Sequence, residues 1–285
     1  MLNEIYVMNK LREVEQFEEK IDERLKKLDE LIEERIGKFK IMNFIPKGLV
    51  ADFGTGIGTD LILLSRLCDD VELVGIDITS KGLKVAKDLL SKEEKQLHLV
   101  RADALFPPFR DNVFDAINFS YMLHHHPLSL LERILKEVNR VSKKKSLILI
   151  TEPSHLNESY EFSSEIHRIS IGVEDLQKLS SICNLKDLRK IRYGLHTFGY
   201  YGNIYPSLLK RMLEDYGFKI EKTRVLSENV RINEVTDGLK KDIESLSLDD
   251  SAKEYLTERL EDLGKKYSMI DPLHEFTLYV KAVRD

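Results

Sequence analysis

The chain has 285 residues, of which 42% are hydrophobic and 33% are charged, and its net charge is −5 at pH 7. This composition provides a sizeable core and excludes disordered and fibrous chains. No uncharged apolar run approaches the ~20 residues that a membrane helix needs, so a membrane span is not expected. The acidic balance disfavours binding to nucleic acid, whose protein partners are usually basic. At ~100–200 residues per domain, the length predicts one domain with large additions.

The cysteine content predicts a reducing, cytoplasmic location. The two cysteines, Cys68 and Cys183, can form no disulfide framework and show no metal-ligand spacing, so no metal site is expected. The first ten residues lack the apolar segment of a secretory signal peptide. Glutamine occurs three times beside abundant lysine and glutamate, a composition typical of thermophilic proteins.

The chain begins with a predicted helical segment, residues 1–47, in which the apolar spacing predicts one long helix over 9–43. Apolar side chains recur there every three or four positions, at Val14, Phe17, Ile21, Leu25, Leu28 and Ile32. Three interpretations are open: a cap over an active site, a coiled coil that forms a homodimer, or a helix packed on its own domain. The third is favoured because the heptad pattern is short and Arg24 interrupts it.

From residue 48 onward, short apolar strands alternate with helices. Strands are predicted at 49–53, 71–78, 97–101, 114–119 and 146–151, and helices at 59–68, 81–90 and 128–141. This alternation indicates a doubly wound α/β domain with a parallel sheet, in which ligands bind beyond the carboxyl ends of the strands. After residue 153 the pattern weakens. It predicts a helix at 205–216, strands at 218–226 and 275–283, and a charged helical insertion at about 233–269.

The most informative segment is the turn Asp52-Phe-Gly-Thr-Gly-Ile-Gly58, between the first strand and the first helix of the alternation. Glycines there let the backbone approach a ligand closely. Thr59 stands where a dinucleotide fingerprint requires Gly or Ala, and the lysine of a nucleotide-hydrolase loop is absent. Asp52 would repel a pyrophosphate and attract an ammonium group. The predicted ligand is therefore nucleoside-like and positively charged.

Two further acids follow the next two strands. Asp77 ends the second strand, where a carboxylate binds ribose hydroxyls in doubly wound folds. Asp103 follows the third strand. Each of these acids has a structural alternative, because aspartates at strand ends often cap the next helix or turn.

With these residues in place, the chain resembles the class I S-adenosylmethionine-dependent methyltransferases. The resemblance covers residues 48–153 well and 203–285 loosely. It rests on five motifs in the order that the family has them, namely Asp52-Phe-Gly-Thr-Gly-Ile-Gly58, Gly75-Ile-Asp77, Ala102-Asp-Ala104, Asp111-Asn-Val-Phe-Asp115 and Arg140-Val-Ser142. It implies a seven-stranded, mostly parallel sheet whose last strand is antiparallel, with an N-terminal helix and helical insertions.

The resemblance also implies the residues that bind S-adenosylmethionine. Asp77, with Ile78 beside it, would hold the ribose hydroxyls, and Asp103 and Ala104 would meet the adenine. The methionine part would lie against the loop and the end of the fourth strand, at Asp52, Gly54, Thr55, Gly56, Gly58, Phe119 and Ser120. The chain departs from the family at residues 142–146, where Ser-Lys-Lys-Lys-Ser replaces a Pro-Gly-Gly turn; a solvated basic turn is expected.

The predicted catalytic residues follow the fourth and fifth strands. A Leu-His-His stretch after the fourth strand resembles the quinone-biosynthesis and arsenite branch of the family, in which this loop faces the transferred methyl group. His124 or His125 could act as a general base there, or could only begin a helix. Glu152 ends the fifth strand and would bind a cationic acceptor or take a proton.

Residues 154–202 are expected to form a substrate lid, with an aromatic and polar surface from His155, Tyr160, His167, His196, Tyr200 and Tyr201. Residues 203–285 would complete the core. The favoured function is methylation of a small organic molecule. Two alternatives are open: methylation of protein or RNA, and a catalytically silent subunit that binds the cofactor beside a partner.

Overall fold

A computed structural model of the chain describes residues 14, 17, 18, 21–93, 95–126, 128–154, 206–245, 250–268 and 273–285. The chain divides into two compact units, residues 1–153, 204–225 and 277–285 in the first and residues 154–203 and 226–276 in the second. The first unit contains the sheet and the predicted cofactor motifs.

The described residues contain eight α-helices and a short 3₁₀ helix. They are α1 (Ile21–Lys26), α2 (Leu28–Met42), α3 (Thr59–Leu67), α4 (Ser80–Leu90), α5 (Leu128–Val141), α6 (Pro206–Asp215), α7 (Ile232–Ser245) and α8 (Asp250–Tyr267), with a short 3₁₀ helix at Leu123–His125. The strands are β1 (Gly48–Phe53), β2 (Val71–Asp77), β3 (Leu97–Arg101), β4 (Phe114–Ser120), β5 (Ser142–Ser154), β6 (Phe218–Val230) and β7 (Leu273–Arg284).

The seven strands form one sheet in the order β3-β2-β1-β4-β5-β7-β6. Strands β1 to β5 pair in parallel, and Asp52 of β1 lies between Gly75 of β2 and Asn118 of β4. The end of β7 meets the beginnings of both neighbours: Arg284 hydrogen-bonds the carbonyl of Ser142, and the Asp285 N–H bonds the carbonyl before β6 at 3.0 Å. Strand β7 is therefore antiparallel. The predicted fold class is confirmed.

The core lies on both faces of the sheet because successive strand residues point to opposite sides. One hydrophobic cluster takes alternate residues of the central strands, such as Phe53 and Ile117, and packs them against α5 and α6. The other takes the intervening residues, such as Val50 and Ala116, and packs them against α2, α3 and α4. Apolar side chains on both faces explain the nearly continuous apolar strands in the sequence.

Two local predictions were wrong. Helix 9–43 is not continuous in its described part, since Lys27 leaves the helical conformation between α1 and α2. Hydrogen bonds from Lys27 N–H to Glu23 and from Leu31 N–H to Lys27 preserve the helical register across the break, so the apolar spacing does not reveal it. Residues 142–146 are not a turn but the beginning of β5, which contains a bulge. Phe114 of β4 pairs with Ser142, whereas Ala116, two residues later, pairs with Leu147, five residues further along β5.

The second unit is described through two of its helices. Helices α7 and α8 lie side by side, joined by a hydrogen-bonded ion pair of 3.0 Å between Lys240 and Glu261. The helical insertion predicted at about 233–269 corresponds to these helices. The lid predicted at 154–202 lies outside the described residues, except for Ser154.

Candidate active site

The glycine-rich loop between β1 and α3 contacts the end of β2. Gly54, Gly56 and Gly58 have φ angles of 77°, 54° and 86°, which glycine adopts without strain. The Gly56 N–H donates a hydrogen bond of 2.7 Å to one carboxylate oxygen of Asp77. The other oxygen accepts bonds of 2.8 and 2.6 Å from the N–H and hydroxyl of Thr79. The structure thus brings the predicted loop and the predicted ribose acid together at the carboxyl end of the sheet.

Asp52 lies beneath this loop among buried polar groups. Its carboxylate accepts hydrogen bonds of 2.7 Å from the Thr55 hydroxyl and from the Asn118 side-chain amide. The same Asn118 amide donates a bond of 2.8 Å to Asp60, in the first turn of α3. Phe119, next to Asn118 on β4, belongs to the hydrophobic core, so only its backbone lies at the site. Two carboxylates therefore share one buried amide.

Helix α2 supplies the cations that face these carboxylates. The Lys38 ammonium, whose side chain is 2% exposed, contacts both Asp60 and the Ser120 hydroxyl. Arg35, one turn earlier, donates a bond of 3.3 Å to Asp60 and packs over the Tyr121 ring, 5.6 Å from its centroid. We call Arg35, Lys38, Asp52, Asp60 and Asn118 the buried charge cluster.

The pKa values of the two carboxyl groups move in opposite directions. Burial, reinforced by the neighbouring Asp60, raises the pKa of Asp52 to about 7. Burial also acts on Asp60, but Lys38 and Arg35 outweigh it and hold the pKa of Asp60 well below its usual range. Burial lowers the pKa of the Lys38 ammonium, and Asp60 opposes this change. Asp60 is therefore the ionised partner of Lys38, and Arg35 faces an Asp52 that is partly protonated near neutral pH.

The predicted adenine residues lie in the loop after β3. Asp103 is half-buried, and its carboxylate accepts a hydrogen bond of 2.9 Å from the N–H of Leu105 in the same loop. Ala104 and Ile78 are half-buried at the ends of neighbouring strands. The hydrogen bond of Asp103 is the turn-capping contact considered as the alternative, and its role toward adenine stays a prediction.

Glu152 of β5 lies against the 3₁₀ helix that follows β4. Its carboxylate is fully buried, and one oxygen accepts hydrogen bonds of 2.9 and 2.7 Å from the N–H groups of Met122 and Leu123. The other oxygen lies 2.7 Å from Nδ1 of His124 and 3.4 Å from its backbone N–H. The ring centroids of His124 and His125 are 4.0 Å apart. The three predicted catalytic residues are thus adjacent.

This arrangement favours one tautomer of the neutral His124 ring. A carboxylate accepts hydrogen bonds and donates none, so it favours the tautomer in which Nδ1 carries the proton. Nε2 is then the nitrogen with a lone pair. With its oxygens engaged by Met122, Leu123 and His124, Glu152 is placed to orient a histidine.

An aromatic residue from the N-terminal segment covers the glycine loop. A Cβ atom added at Gly56 would lie 2.9 Å from Cζ of Phe17, and one added at Gly82 would lie 3.3 Å from the same ring. Glu18 reinforces this contact by accepting a hydrogen bond of 2.9 Å from the Lys81 N–H, at the start of α4. The ring packs closely against backbone that only glycine leaves accessible.

Four members of this site were not predicted from the sequence, namely Arg35, Lys38, Asp60 and Asn118. The sequence contains one indication of this cluster: Asn118 lies between apolar residues in a strand predicted to be buried, and a buried amide requires a hydrogen-bond partner. The other three sit at helical positions where charged residues usually face solvent. Nothing in their spacing sets them apart.

Within the described ranges, no group of three or more His, Cys, Asp and Glu residues is arranged to hold a metal ion. In the same part of the chain, no helix is long and apolar enough to span a membrane. The proposed lid residues, from His155 to Tyr201, lie outside the described residues.

The part of the chain that contains most of this site is similar to known proteins. Residues 50–145 match the family model of the methyltransferase domain. They include the glycine loop, the carboxyl ends of β1 to β4, the beginning of β5, and all five motifs from which the resemblance was stated.

The curated relatives match over the same region. A demethylmenaquinone methyltransferase of Thermotoga maritima is 35% identical over 103 residues, which cover 36% of this chain and 42% of that protein. The enzyme of the same name from Staphylococcus aureus is 35% identical over 112 residues, covering 39% and 45%. The chain thus matches less than half the length of these relatives.

Solved structures extend the likeness of fold beyond that region. A putative methyltransferase from Bacillus halodurans has a TM-score of 0.59 at 18% identity, covering 87% of this chain and 97% of that one. A Haemonchus contortus phosphoethanolamine N-methyltransferase, solved with S-adenosylhomocysteine, has a TM-score of 0.51 at 17% identity, covering 88% and 52%. At these identities the likeness concerns the fold alone.

Proposed function

We propose that this protein transfers the methyl group of S-adenosylmethionine to a small organic molecule. The observation that carries the proposal is the bond of 2.7 Å between Asp77 and Gly56, at the carboxyl ends of the strands beside the point where the sheet order reverses. It lies within the residues that match the methyltransferase domain.

The residues present fit this cofactor. Asp77 would hold the ribose hydroxyls, and the Gly54–Gly58 loop would carry the methionine part. The loop has no room for side chains: a Cβ at Gly54 would lie 2.7 Å from Met122. The Ser120 backbone would receive the methionine ammonium, while Asp103 would receive the adenine amino group. When bound, the cofactor supplies an electrophilic methyl group on a sulfonium.

The chain's own residues would orient the acceptor and move its proton. His124, whose Nδ1 proton is directed at Glu152, would accept a proton at Nε2 from an acceptor hydroxyl or ammonium. Glu152 would act as a positioning residue, holding both the ring and the 3₁₀ helix. His125, stacked beside His124, is the second candidate for the base. Phe17 would exclude water from the loop side.

The acceptor is proposed to be small because the relatives that match in sequence carry the name demethylmenaquinone methyltransferase. The test incubates the purified protein with cofactor labelled in its methyl group and with a cell extract fractionated by mass. A second arm uses demethylated quinones of defined chain length. We expect label in the small-molecule fraction and none in protein or RNA. At limiting cofactor concentration, the Asp77→Ala variant should transfer less label than the wild type.

Label in protein or RNA bands would replace the proposed acceptor by a macromolecule. A wild-type protein that binds S-adenosylhomocysteine but transfers no label to any fraction would instead support the silent subunit.

The domain boundaries 1–47, 48–153, 154–202 and 203–285 also remain proposals, with the lid in the third segment. A cytoplasmic location rests on the two cysteines, and a homodimer through the N-terminal helix awaits light scattering.

A further inference from the structure

The two acids of the buried charge cluster have different partners. Asp60 contacts both cations that α2 supplies. Asp52 is 2% exposed, and the partners that the structure describes for its carboxylate are uncharged: the Thr55 hydroxyl and the Asn118 amide, each at 2.7 Å. Asp52 is thus buried beside a second carboxylate that holds the compensating cations. Such surroundings favour the protonated form of a carboxyl group.

The other charges around Asp52 come from the elements packed against it. Strand β2 presents Gly75, which has no side chain, and β4 presents an uncharged amide. Helix α3 contributes the negative charge of Asp60. Helix α2 contributes Lys38 and Arg35, which both pair with that carboxylate. Burial and the repulsion from Asp60 raise the pKa of Asp52 to about 7, in agreement with this arrangement.

The hydrogen bond between Asp52 and Thr55 is compatible with both protonation states. A hydroxyl donates to an ionised carboxylate, and its oxygen accepts from a protonated one, so the contact of 2.7 Å serves either state. The Asn118 amide can donate to Asp52 in both states. A proton can therefore leave Asp52 without rearrangement of its partners. Thr55 belongs to the glycine-rich loop, directly between Gly54 and Gly56.

A positively charged ligand on this loop would favour the ionised form of Asp52. Under the proposed function, the methionine part of the cofactor lies on the loop, with its ammonium at the Ser120 backbone. Ser120 follows two residues after Asn118, whose amide bonds Asp52 directly. A positive charge close to a carboxyl group stabilises the charged form and lowers the pKa, and the effect is strong where water is excluded.

We propose that binding of the cofactor displaces a proton from Asp52 into the solvent. The proposal rests on the proposed function and adds a coupling between cofactor affinity and pH. Because the proton is released on binding, a low pH opposes binding. Affinity should therefore rise with pH up to about 7 and level off above it, where Asp52 is already ionised. Asp52 acts here on the charge of the site, whereas Asp77 and Asp103 would bind the ligand directly.

The test counts the released protons by calorimetry. Binding of S-adenosylhomocysteine is measured at about pH 6 in two buffers that differ in ionisation enthalpy, since the difference in measured heat gives the number of protons. We expect roughly 0.5–1 proton per ligand, and an affinity that increases about threefold to tenfold between about pH 5.5 and 6.5. The comparison ligand, 5′-methylthioadenosine, has the same nucleoside but lacks the ammonium, and it should release less than about 0.2 proton.

Two variants identify the group that releases the proton. Asp52→Asn has the shape of the protonated acid but cannot ionise, so it should release less than about 0.2 proton and lose the dependence of affinity on pH. Asp60→Asn removes the neighbouring negative charge, so Asp52 should be ionised before binding and the release should likewise be lost. The control, Asp88→Asn on the exposed side of α4, should retain the wild-type release.

Equal release with both ligands would overturn the proposal, because the ammonium would not be its cause. Release retained in Asp52→Asn would overturn it as well, by assigning the proton to another group. If Asp52→Asn does not fold or bind, the wild-type comparison of the two ligands and the Asp60→Asn variant decide. A wild type that binds neither ligand would refute the proposed function itself, whereas a wild type that binds S-adenosylhomocysteine without releasing a proton would refute only the coupling.

Discussion

Replacing Glu152 by glutamine should reverse the tautomer of His124 without removing the rest of the contact. The glutamine oxygen can still accept the two backbone bonds from Met122 and Leu123, at 2.9 and 2.7 Å in the wild type. The new NH₂ group then faces Nδ1 of His124, where the wild type has an acceptor at 2.7 Å. Two donors cannot share one hydrogen bond, so Nδ1 must give up its proton and Nε2 must take one.

The expected magnitudes follow from this exchange. A protonated Nε2 cannot accept a proton, so kcat should fall by ~10²–10⁴, the usual contribution of a general base. The two backbone bonds lose their charge assistance, at roughly 1 kcal/mol each, so the free energy of unfolding should decrease by about 2 kcal/mol. Cofactor affinity should stay unchanged because the carboxylate does not touch the glycine loop.

The assay combines initial rates of methyl transfer, calorimetry with S-adenosylhomocysteine and urea unfolding. The wild-type rate should be higher on the alkaline side of the pH profile than on the acidic side, because neutral imidazole is the form that accepts a proton. Glu72→Gln is the matched control. Glu72 also pairs with a histidine, His98, at 2.9 Å, but on the exposed beginning of β2. It should leave kcat and the pH profile unchanged.

Full activity of Glu152→Gln together with a flat wild-type pH profile would show that His124 is not a general base oriented by Glu152. Positioning of the two reactants would then be enough for methyl transfer. Loss of cofactor affinity in the variant would also contradict it, by placing Glu152 in the cofactor site. His124→Ala should match Glu152→Gln in kcat, and the double variant should be little worse than either, because both act on one group.

Three further predictions concern the acids and their cations. Asp77→Ala should weaken S-adenosylhomocysteine binding by ~1.5–3 kcal/mol in calorimetry, with exposed Asp88→Ala as control; unchanged affinity would remove Asp77 from the site. Because folding raises the pKa of Asp52 from 3.8 to about 7, stability should fall as pH rises across that range and level off above it. Asp52→Asn should remove about 1 kcal/mol per pH unit of this slope in urea titrations, and an unaltered slope would assign it to other groups. Lys38→Met should lower the free energy of unfolding by ~3–5 kcal/mol, because the buried Asp60 loses the cation that lies nearest to it. Adding Asp60→Asn should restore more than half of that loss, and no restoration would show that the two residues are not coupled.

The sequence alone predicted the sheet and the motifs at its carboxyl edge. Glycines that require positive φ and apolar strands buried on both faces leave local patterns, since each depends on residues close in the chain. The acids Asp52 and Asp77 were predicted because they stand at strand ends beside such patterns. Their positions in the structure agree with that expectation, while their roles toward a ligand remain predictions.

The charge cluster could not be predicted in this way. Lys38 and Asp60 are 22 positions apart and meet through the packing of α2 against α3, which no local pattern encodes. Periodicity arguments place lysine on the solvent side of a helix, yet the Lys38 side chain is buried. The contact of Phe17 with Gly56 has the same origin: the apolar stripe predicted a buried ring but not its neighbour.

The buried acids explain why the N-terminal helix belongs to the site. Two carboxylates buried next to each other repel each other and lose their hydration. Nearby cations must offset this cost in folding free energy. Here the cations come from α2, whose last residue, Met42, precedes the segment that matches the methyltransferase domain. A fragment limited to residues 50–145 would keep Asp52, Asp60 and Asn118 but lose both Arg35 and Lys38. The matched domain therefore contains the acidic half of the cluster, and the chain before it supplies the basic half on which the ionisation of Asp60 depends.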